Sequence, residues 1–178
     1  MSFNNKLVIP TLALSALLNT PAFGEAMFLK IDDIEGEAQF SGYEKQIEVV
    51  AWSWGVSNSG TLHISGGGGA GKANFEDLSI VKYNDKATTD LMLFAANGDQ
   101  FDKAILTVVS ENTGLKSPTA YLTITMNNVL VTSVYTDGSS QNDGRPTEQL
   151  TLNFAQVNVN YKKISDAGAV ESQHTFGW

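Results

Sequence analysis

The chain contains no cysteine and only two histidines, His63 and His174, among its 178 residues. The absence of cysteine excludes disulfide bonds, thiolate metal ligands and a thiol nucleophile. A catalytic histidine needs a positioned carboxylate and a nucleophile, and neither lies close in sequence to His63 or His174. A structural role is therefore favoured for both histidines, and the sequence predicts no enzyme, no cofactor and no metal site.

Positive charge is also scarce, with 11 lysines and arginines against 19 aspartates and glutamates, giving a formal net charge of −8. The basic residues form no cluster, whereas proteins that bind nucleic acid present a basic patch to the phosphates. The composition therefore argues against a nucleic-acid partner.

Long apolar runs are limited to residues 7–18, near the amino terminus. These twelve residues are too few to span a bilayer as a helix, so no stable membrane insertion is expected. They follow a short stretch with one positive charge and precede a small-x-small triplet that ends at Gly24, which is the pattern of a secretory signal peptide. We therefore predict that residues 1–24 are a signal peptide cleaved between Gly24 and Glu25.

Residues 25–178 are predicted to fold as one domain composed mainly of β-strands. The predicted strands are rich in Val, Ile, Thr and aromatic residues and are separated by turn residues. They are residues 27–31, 46–56, 101–110, 121–127, 129–135 and 148–161, with a tight turn or bulge at Asn127-Asn128. Residues 88–98 predict one short helix, with Thr88 as the cap, an early Asp90 and a terminal Asn97-Gly98. Many strands and one helix indicate a closed or nearly closed barrel or a sandwich.

Residues 46–56 predict a strand with two different faces. Side chains alternate along a strand, so Trp52 and Trp54 share one face, which we expect to be buried. Ala51, Ser53 and Gly55 then share the opposite face, where small side chains leave room. The alternative is that another element simply covers this second face.

The stretch Ser65-Gly66-Gly67-Gly68-Gly69-Ala70-Gly71-Lys72-Ala73 resembles a phosphate-binding loop, G-x-x-x-x-G-K. Such a loop needs a Ser or Thr after the lysine to bind Mg²⁺ and a helix to follow, but Ala73 has no hydroxyl and residues 74–83 favour a strand. The segment at 61–64, before the loop, could itself be a strand. The glycines are therefore interpreted as part of an exposed loop in which the backbone adopts unusual angles.

Two acidic segments partly match known types of site. Residues 137–148 place acids and amides at some positions of a calcium loop, but Asn142 replaces the required glycine and the predicted flanks are strands. Asp32, Asp33, Glu35 and Glu37 could pair for glycoside hydrolysis, but acids in a surface turn are far commoner. A polar loop and a surface turn are the favoured interpretations.

An ordered series of segments resembles the Hcp family, the tube proteins of the bacterial type VI secretion system. The resemblance runs from Met27 to Trp178. The matching segments are Met27-Phe28-Leu29-Lys30-Ile31, Glu35-Gly36-Glu37, Trp52-Ser53-Trp54-Gly55, His63, the loop from Gly66 to Lys72, Lys82-Tyr83, Asp85-Lys86, Asp102-Lys103-Ala104 and Leu150-Thr151-Leu152-Asn153-Phe154-Ala155-Gln156-Val157.

This resemblance implies a two-sheet β-barrel with one short helix packed outside, and a ring of six copies that stacks into an expelled tube. It also implies partners in the sheath, the spike and effector proteins, with effectors carried in the lumen. The loop glycines Gly66, Gly67, Gly68, Gly69 and Gly71, with Lys72, would contact a neighbouring subunit or ring. Ala51, Ser53 and Gly55 would face the lumen or a subunit contact.

The sequence of the amino terminus is compatible with two cellular locations of the protein. If translation starts at Met27, the protein assembles in the cytoplasm before it is secreted; if the signal peptide is used, the protein is periplasmic or extracellular. In the second case the chain could be an exported ligand-binding or adhesive β-barrel that kept the fold but not the tube.

Overall fold

A computed structural model describes residues 24–60, 71–111, 118–138, 145–165 and 169–178. These residues form nine strands and one helix. They are β1 Gly24–Ile31, β2 Ile47–Ser53, β3 Val56–Asn58, β4 Ala73–Phe75, β5 Leu78–Tyr83, α1 Ala87–Asn97, β6 Gln100–Glu111, β7 Thr119–Thr136, β8 Thr147–Ile164 and β9 Val170–Gly177.

Six antiparallel strands close into a barrel in the order β5-β2-β1-β6-β7-β8, because β5 also pairs with β8. Strand β8 pairs with β7 along one edge, and it is long enough to pair with two further strands along the other edge. Its first half pairs with β5 from Leu152 to Thr147, and its second half pairs with β9 from Asn158 to Ile164. β9 is therefore an extra strand outside the closed barrel, and β3 and β4 form a second, small sheet. The prediction of a mainly β barrel with one helix is confirmed.

Alternating apolar side chains fill the core between the strands. The largest fully buried apolar ones are Leu29, Ile31, Ile47, Leu78, Ile80, Leu91, Leu106, Ile124, Met126, Leu150 and Leu152. Helix α1 packs on the outside of the barrel through Ala87 and Leu91, and the Phe94 ring stacks on Phe101 at 4.1 Å between centroids. Each such side chain stabilises the fold by about 2 kcal/mol through burial.

The predicted helix exists, but its start differs from the sequence interpretation. Asp85, not Thr88, caps the first turn, because an Asp85 carboxylate oxygen accepts the Ala87 N–H at 3.0 Å. The Thr88 hydroxyl instead accepts the Asp85 N–H at 3.2 Å, which completes a reciprocal pair. The end is as predicted, with Gly98 at φ 72° donating its N–H to the Phe94 carbonyl.

The alternation predicted for residues 46–56 places Trp52 and Trp54 correctly against the core, but it does not hold along the whole strand. A register shift between Val49 and Ala51 inserts an extra residue opposite β5, so the strand changes the face it presents to the core. Ile47 and Val49 are buried before this bulge, whereas Trp52 and Trp54 pack against the same core after it. β9 was not predicted, and residues 74–83, for which one strand was expected, contribute to two strands, β4 and β5. Residues 121–135 form one strand rather than two, with Asn128 held at φ 51° in its middle.

Candidate functional site

The base of the glycine loop is a two-stranded ribbon, in which β3 pairs with β4 from Val56–Phe75 to Asn58–Ala73. Asn58 ties the two sides together, since its amide donates to the Gly71 carbonyl at 3.1 Å and its oxygen accepts the Gly60 N–H at 2.8 Å. A Cβ at Gly71 would lie only 2.2 Å from the Gly60 nitrogen, so only glycine fits there. Lys72 is exposed. The segment 61–64, His63 and the glycines at 66–69 lie outside the described residues.

Five aromatic side chains join this ribbon to the barrel and to the carboxyl terminus. This aromatic cluster consists of Trp54, Phe75, Phe154, Phe176 and Trp178. Phe75 lies at the centre, with ring centroids 6.1 Å from Trp54, 6.4 Å from Phe176 and 5.0 Å from Trp178. Trp178 also pairs through its backbone with Val157, yet its side chain stays 66% exposed. The sequence analysis missed the cluster, because it predicted no strand after residue 161 and so gave Phe176 and Trp178 no place in the sheet.

The small residues assigned to one face lie on the outside of the barrel. Ala51 and Ser53 are exposed on β2, on the side away from the core. Gly55 follows the strand and is half-buried, and a Cβ there would lie 3.1 Å from a Glu76 carboxylate oxygen. Ala51 and Ser53 therefore lie on one exposed surface of β2. Gly55 has no side chain, which leaves room for the Glu76 carboxylate.

Gly24 and Glu25 are part of the fold. Gly24 pairs with Glu111 and Glu25 pairs with Ser110, so β1 begins three residues before Met27. The Tyr121 hydroxyl donates to a Glu25 carboxylate oxygen at 2.7 Å. Burial of the phenol and, second, this hydrogen bond raise the pKa of Tyr121 to about 12.

A buried ion cluster lies where β5, β8 and the start of α1 meet. The Lys82 ammonium is 2.5 Å from one Glu148 oxygen and 2.8 Å from one Asp85 oxygen, and it also donates to the Tyr83 carbonyl. The side chains of Lys82 and Glu148 are completely buried. The other Glu148 oxygen is buried and has no hydrogen-bond partner among the residues that the structure describes. The sequence carried a signal for this cluster, because Lys82 continues the core-facing alternation of Leu78 and Ile80.

Several of the acids considered as catalytic or calcium-binding groups form structural contacts. Glu35 bridges Lys45 at 2.9 Å and Lys86 at 2.7 Å, and these two hydrogen bonds, that of Lys86 first, lower the pKa of Glu35 to about 2. Asp32 accepts the Asp102 N–H at 2.8 Å. Glu148, the last acid of the calcium-like segment, is the core partner of Lys82, and residues 139–144 of that segment lie outside the described part.

Within the described ranges, no three potential metal-binding side chains among His, Cys, Asp and Glu come together. No helix in those ranges has the length and hydropathy needed to cross a membrane. The fold and its surfaces thus define a barrel protein with a filled core, an added edge strand and a projecting ribbon base.

Comparisons with known proteins show which family of barrel proteins this chain resembles. The family model described as "Type VI secretion system effector, Hcp" matches residues 28–161. "Protein hcp1" of Pseudomonas aeruginosa is 46% identical over 153 residues, which cover 85% of this chain and 93% of that protein.

Solved structures agree. Hcp1 from Salmonella typhimurium superposes with a TM-score of 0.69 at 28% identity, covering 86% of this chain and 93% of that one. A structure described as a type six secretion system protein superposes with a TM-score of 0.79 at 28% identity. The match covers 88% of this chain and 95% of that one. The chain belongs to the Hcp family of type VI secretion proteins, as the resemblance of its segments implied.

Proposed function

We propose that this chain is the tube subunit of a type VI secretion system. Six copies form a ring, rings stack into a tube that is expelled, and effectors travel in its lumen. The sheath and the spike are its other partners, and the chain performs no catalysis of its own. The observation that carries this proposal is the match to the Hcp family over residues 28–161.

The geometry supports an assembly role over a ligand-binding one. The space inside the barrel is occupied by apolar side chains of the core, whereas a binding protein offers a cleft with a few converging polar groups. The unusual features lie outside the barrel: the edge strand β9, the exposed rings of Phe176 and Trp178, and the base of the glycine ribbon. An exposed edge strand with apolar side chains needs a cover, which ring symmetry supplies.

Rings are expected from the purified chain of residues 24–178 at micromolar concentration. Light scattering should give the mass of a closed oligomer, and electron microscopy should show rings with an open centre. The matched variant lacks Gly66, Gly67, Gly68 and Gly69. It should unfold at the same urea concentration as the unmodified chain. It should assemble poorly, because the loop contact proposed between subunits is gone.

A monomeric mass for the unmodified chain would contradict the tube and would favour the alternative, an exported ligand-binding or adhesive barrel. Full assembly of the loop variant would be consistent with the proposed tube, but it would show that the loop glycines are not needed for contacts between subunits.

A further inference from the structure

Two exposed pairs of residues, Asp137-Gly138 and Asn97-Gly98, place a glycine after a short side chain that ends in a carboxyl or amide group. In such a pair the glycine nitrogen can attack the γ-carbon of the preceding side chain, because glycine has no Cβ to shield its nitrogen. The two pairs can undergo the same kind of reaction, but their hydrogen bonds differ. These hydrogen bonds therefore decide which pair reacts in the folded protein.

The Gly138 nitrogen is already directed at the side chain that it would attack. Its N–H donates to a carboxylate oxygen of Asp137 at 2.8 Å. This oxygen is bonded to the γ-carbon, so the nitrogen and the γ-carbon lie near the separation of about 3–3.5 Å that a near-attack conformer has. A Cβ built on Gly138 would meet no described heavy atom within 4 Å apart from its chain neighbours, so the pair has room to react.

The Gly98 nitrogen is directed away from the side chain of Asn97. Its N–H donates to the Phe94 carbonyl at 2.9 Å, which closes the carboxyl end of α1. The Asn97 amide itself donates to Asp99 at 3.4 Å. Gly98 also has open space around it, so crowding does not distinguish the two pairs. Attack by the Gly98 nitrogen requires the helix end to open first, and local opening costs free energy.

We propose that Asp137-Gly138 is a modification site at which the folded protein forms isoaspartate, and that the end of α1 protects Asn97-Gly98. The Gly138 nitrogen bonds to the γ-carbon of the neutral Asp137 side chain and loses its proton, and one water leaves. A water then adds to the main-chain carbonyl carbon of the resulting cyclic imide and breaks its bond to nitrogen. The main chain now runs through the side-chain carbons of residue 137, with no net change in mass and no oxidation or reduction.

The modification leaves the neighbouring β-ladder intact. The Asp137 N–H donates to the Thr147 carbonyl at 3.2 Å, directly beyond the Thr136–Glu148 pair. This nitrogen precedes the carbon that enters the main chain, so its hydrogen bond survives the reaction. The product also keeps one carboxylate, so the net charge is unchanged. The folded protein should therefore accumulate isoaspartate on its surface without unfolding.

The test follows isoaspartate over time, at physiological temperature and neutral pH, in the folded full chain and in the same chain unfolded in guanidinium chloride. Methyl transfer from S-adenosylmethionine by an isoaspartyl methyltransferase gives the total. Electron-transfer fragmentation assigns the position and separates Asp137 from the pair Asp143-Gly144, which lies outside the described residues. At Asp137 the folded and unfolded rates should agree within about threefold, whereas folding should slow the reaction at Asn97 at least about tenfold.

The matched variant is Gly138→Ala. Its Cβ enters open space and Gly138 is not in the left-handed region, so urea unfolding should be unchanged. The added methyl group shields the nitrogen and should slow the reaction at Asp137 at least about fivefold, while the rate at Asn97 stays the same.

Folding that slows the reaction at Asp137 beyond the threefold range overturns the proposal, and so does a Gly138→Ala variant that reacts as fast as the unmodified chain. Equal folded and unfolded rates at Asn97 overturn the protection by the helix end. None of these results bears on the tube, which the ring measurement tests separately.

Discussion

At the scale of single residues, Lys82 occupies a position that alternation would give to an apolar side chain. Its ammonium is completely buried and faces two carboxylates, Glu148 and Asp85, on different elements. Removing one charged group from a buried ion cluster leaves the remaining charges without a counter-charge. This lowers the free energy of unfolding far more than the loss of a surface ion pair does. Lys82 therefore joins β5, β8 and the start of α1 through charge rather than through apolar packing.

Lys82→Met should lower the free energy of unfolding by about 3–5 kcal/mol, because two buried carboxylates lose their cation. Urea unfolding measures this change. The matched control is Lys86→Met. The Lys86 side chain is 46% exposed and pairs with Glu35, so this substitution should lower the free energy of unfolding by at most about 1 kcal/mol. Equal effects of the two substitutions would show that the buried cluster does not stabilise the fold.

Glu35 should remain ionised far below the usual range of a carboxyl group. Its folded pKa is about 2 against an ordinary value of 4.5. Because the pKa is lowered on folding, the ionised group stabilises the fold fully above about pH 4.5, and this contribution is lost as the pH falls through about 2. A carboxyl titration of Glu35 by NMR measures the pKa directly.

The control for this titration is the double variant Lys45→Met and Lys86→Met, in which the pKa of Glu35 should rise toward 4.5 because both hydrogen-bonding cations are gone. A Glu35 that titrates near 4.5 in the unmodified chain would show that these surface pairs do not persist in solution.

At the scale of elements, β2 shows how one bulge redirects a strand. The shift after Val49 lets Ile47 and Val49 on one side of the bulge, and Trp52 and Trp54 on the other, all reach the core. Ala51 and Ser53 are thereby left on the outer surface. We propose that this surface lines the lumen of the ring.

The absence of cysteine makes that proposal testable with single-cysteine variants. In assembled tubes, Ser53→Cys should react with a small maleimide but slowly with a maleimide on a large poly(ethylene glycol), which enters a lumen poorly. Thr89→Cys on the exposed side of α1 is the control and should react with both reagents. Both variants should keep the stability of the unmodified chain within about 0.5 kcal/mol.

Equal reaction of Ser53→Cys with the large reagent would place β2 on the outside of the tube. No reaction with either reagent in tubes, but reaction in dissociated subunits, would place Ser53 in a contact between copies.

The elements that the sequence predicted well are those with strong local signals. Val, Ile and Thr alternation marked β6, β7 and β8, and Asn97-Gly98 marked the end of α1. The elements that were missed, or that were not separated from a neighbouring strand, have weak local signals. β4 is three residues long, and β9 has no buried residue by its own pattern, since it forms only by pairing with the second half of β8.

At the scale of the whole molecule, closure of the barrel depends on residues far apart in the chain. β5 meets β8 through pairs from Tyr83–Thr147 to Leu78–Leu152, and β8 then extends beyond the barrel to hold β9. Strand β8 thus completes the barrel and contributes Phe154 to the aromatic cluster that joins the β3–β4 ribbon to the barrel.

The sequence alone determined the fold class, the helix, the absence of thiol chemistry and, through its ordered segments, the family. These follow from local pattern, because alternation, turn residues and composition act over a few neighbouring positions. Only the tertiary structure decided the face of Ala51 and Ser53, the burial of Lys82 with Glu148, and the inclusion of Gly24 and Glu25 in β1. Each depends on a partner strand distant in sequence. The alternation of Leu78, Ile80 and Lys82 places Lys82 on the core-facing side, but it does not identify Glu148 as the partner, and a bulge leaves no mark in a local pattern.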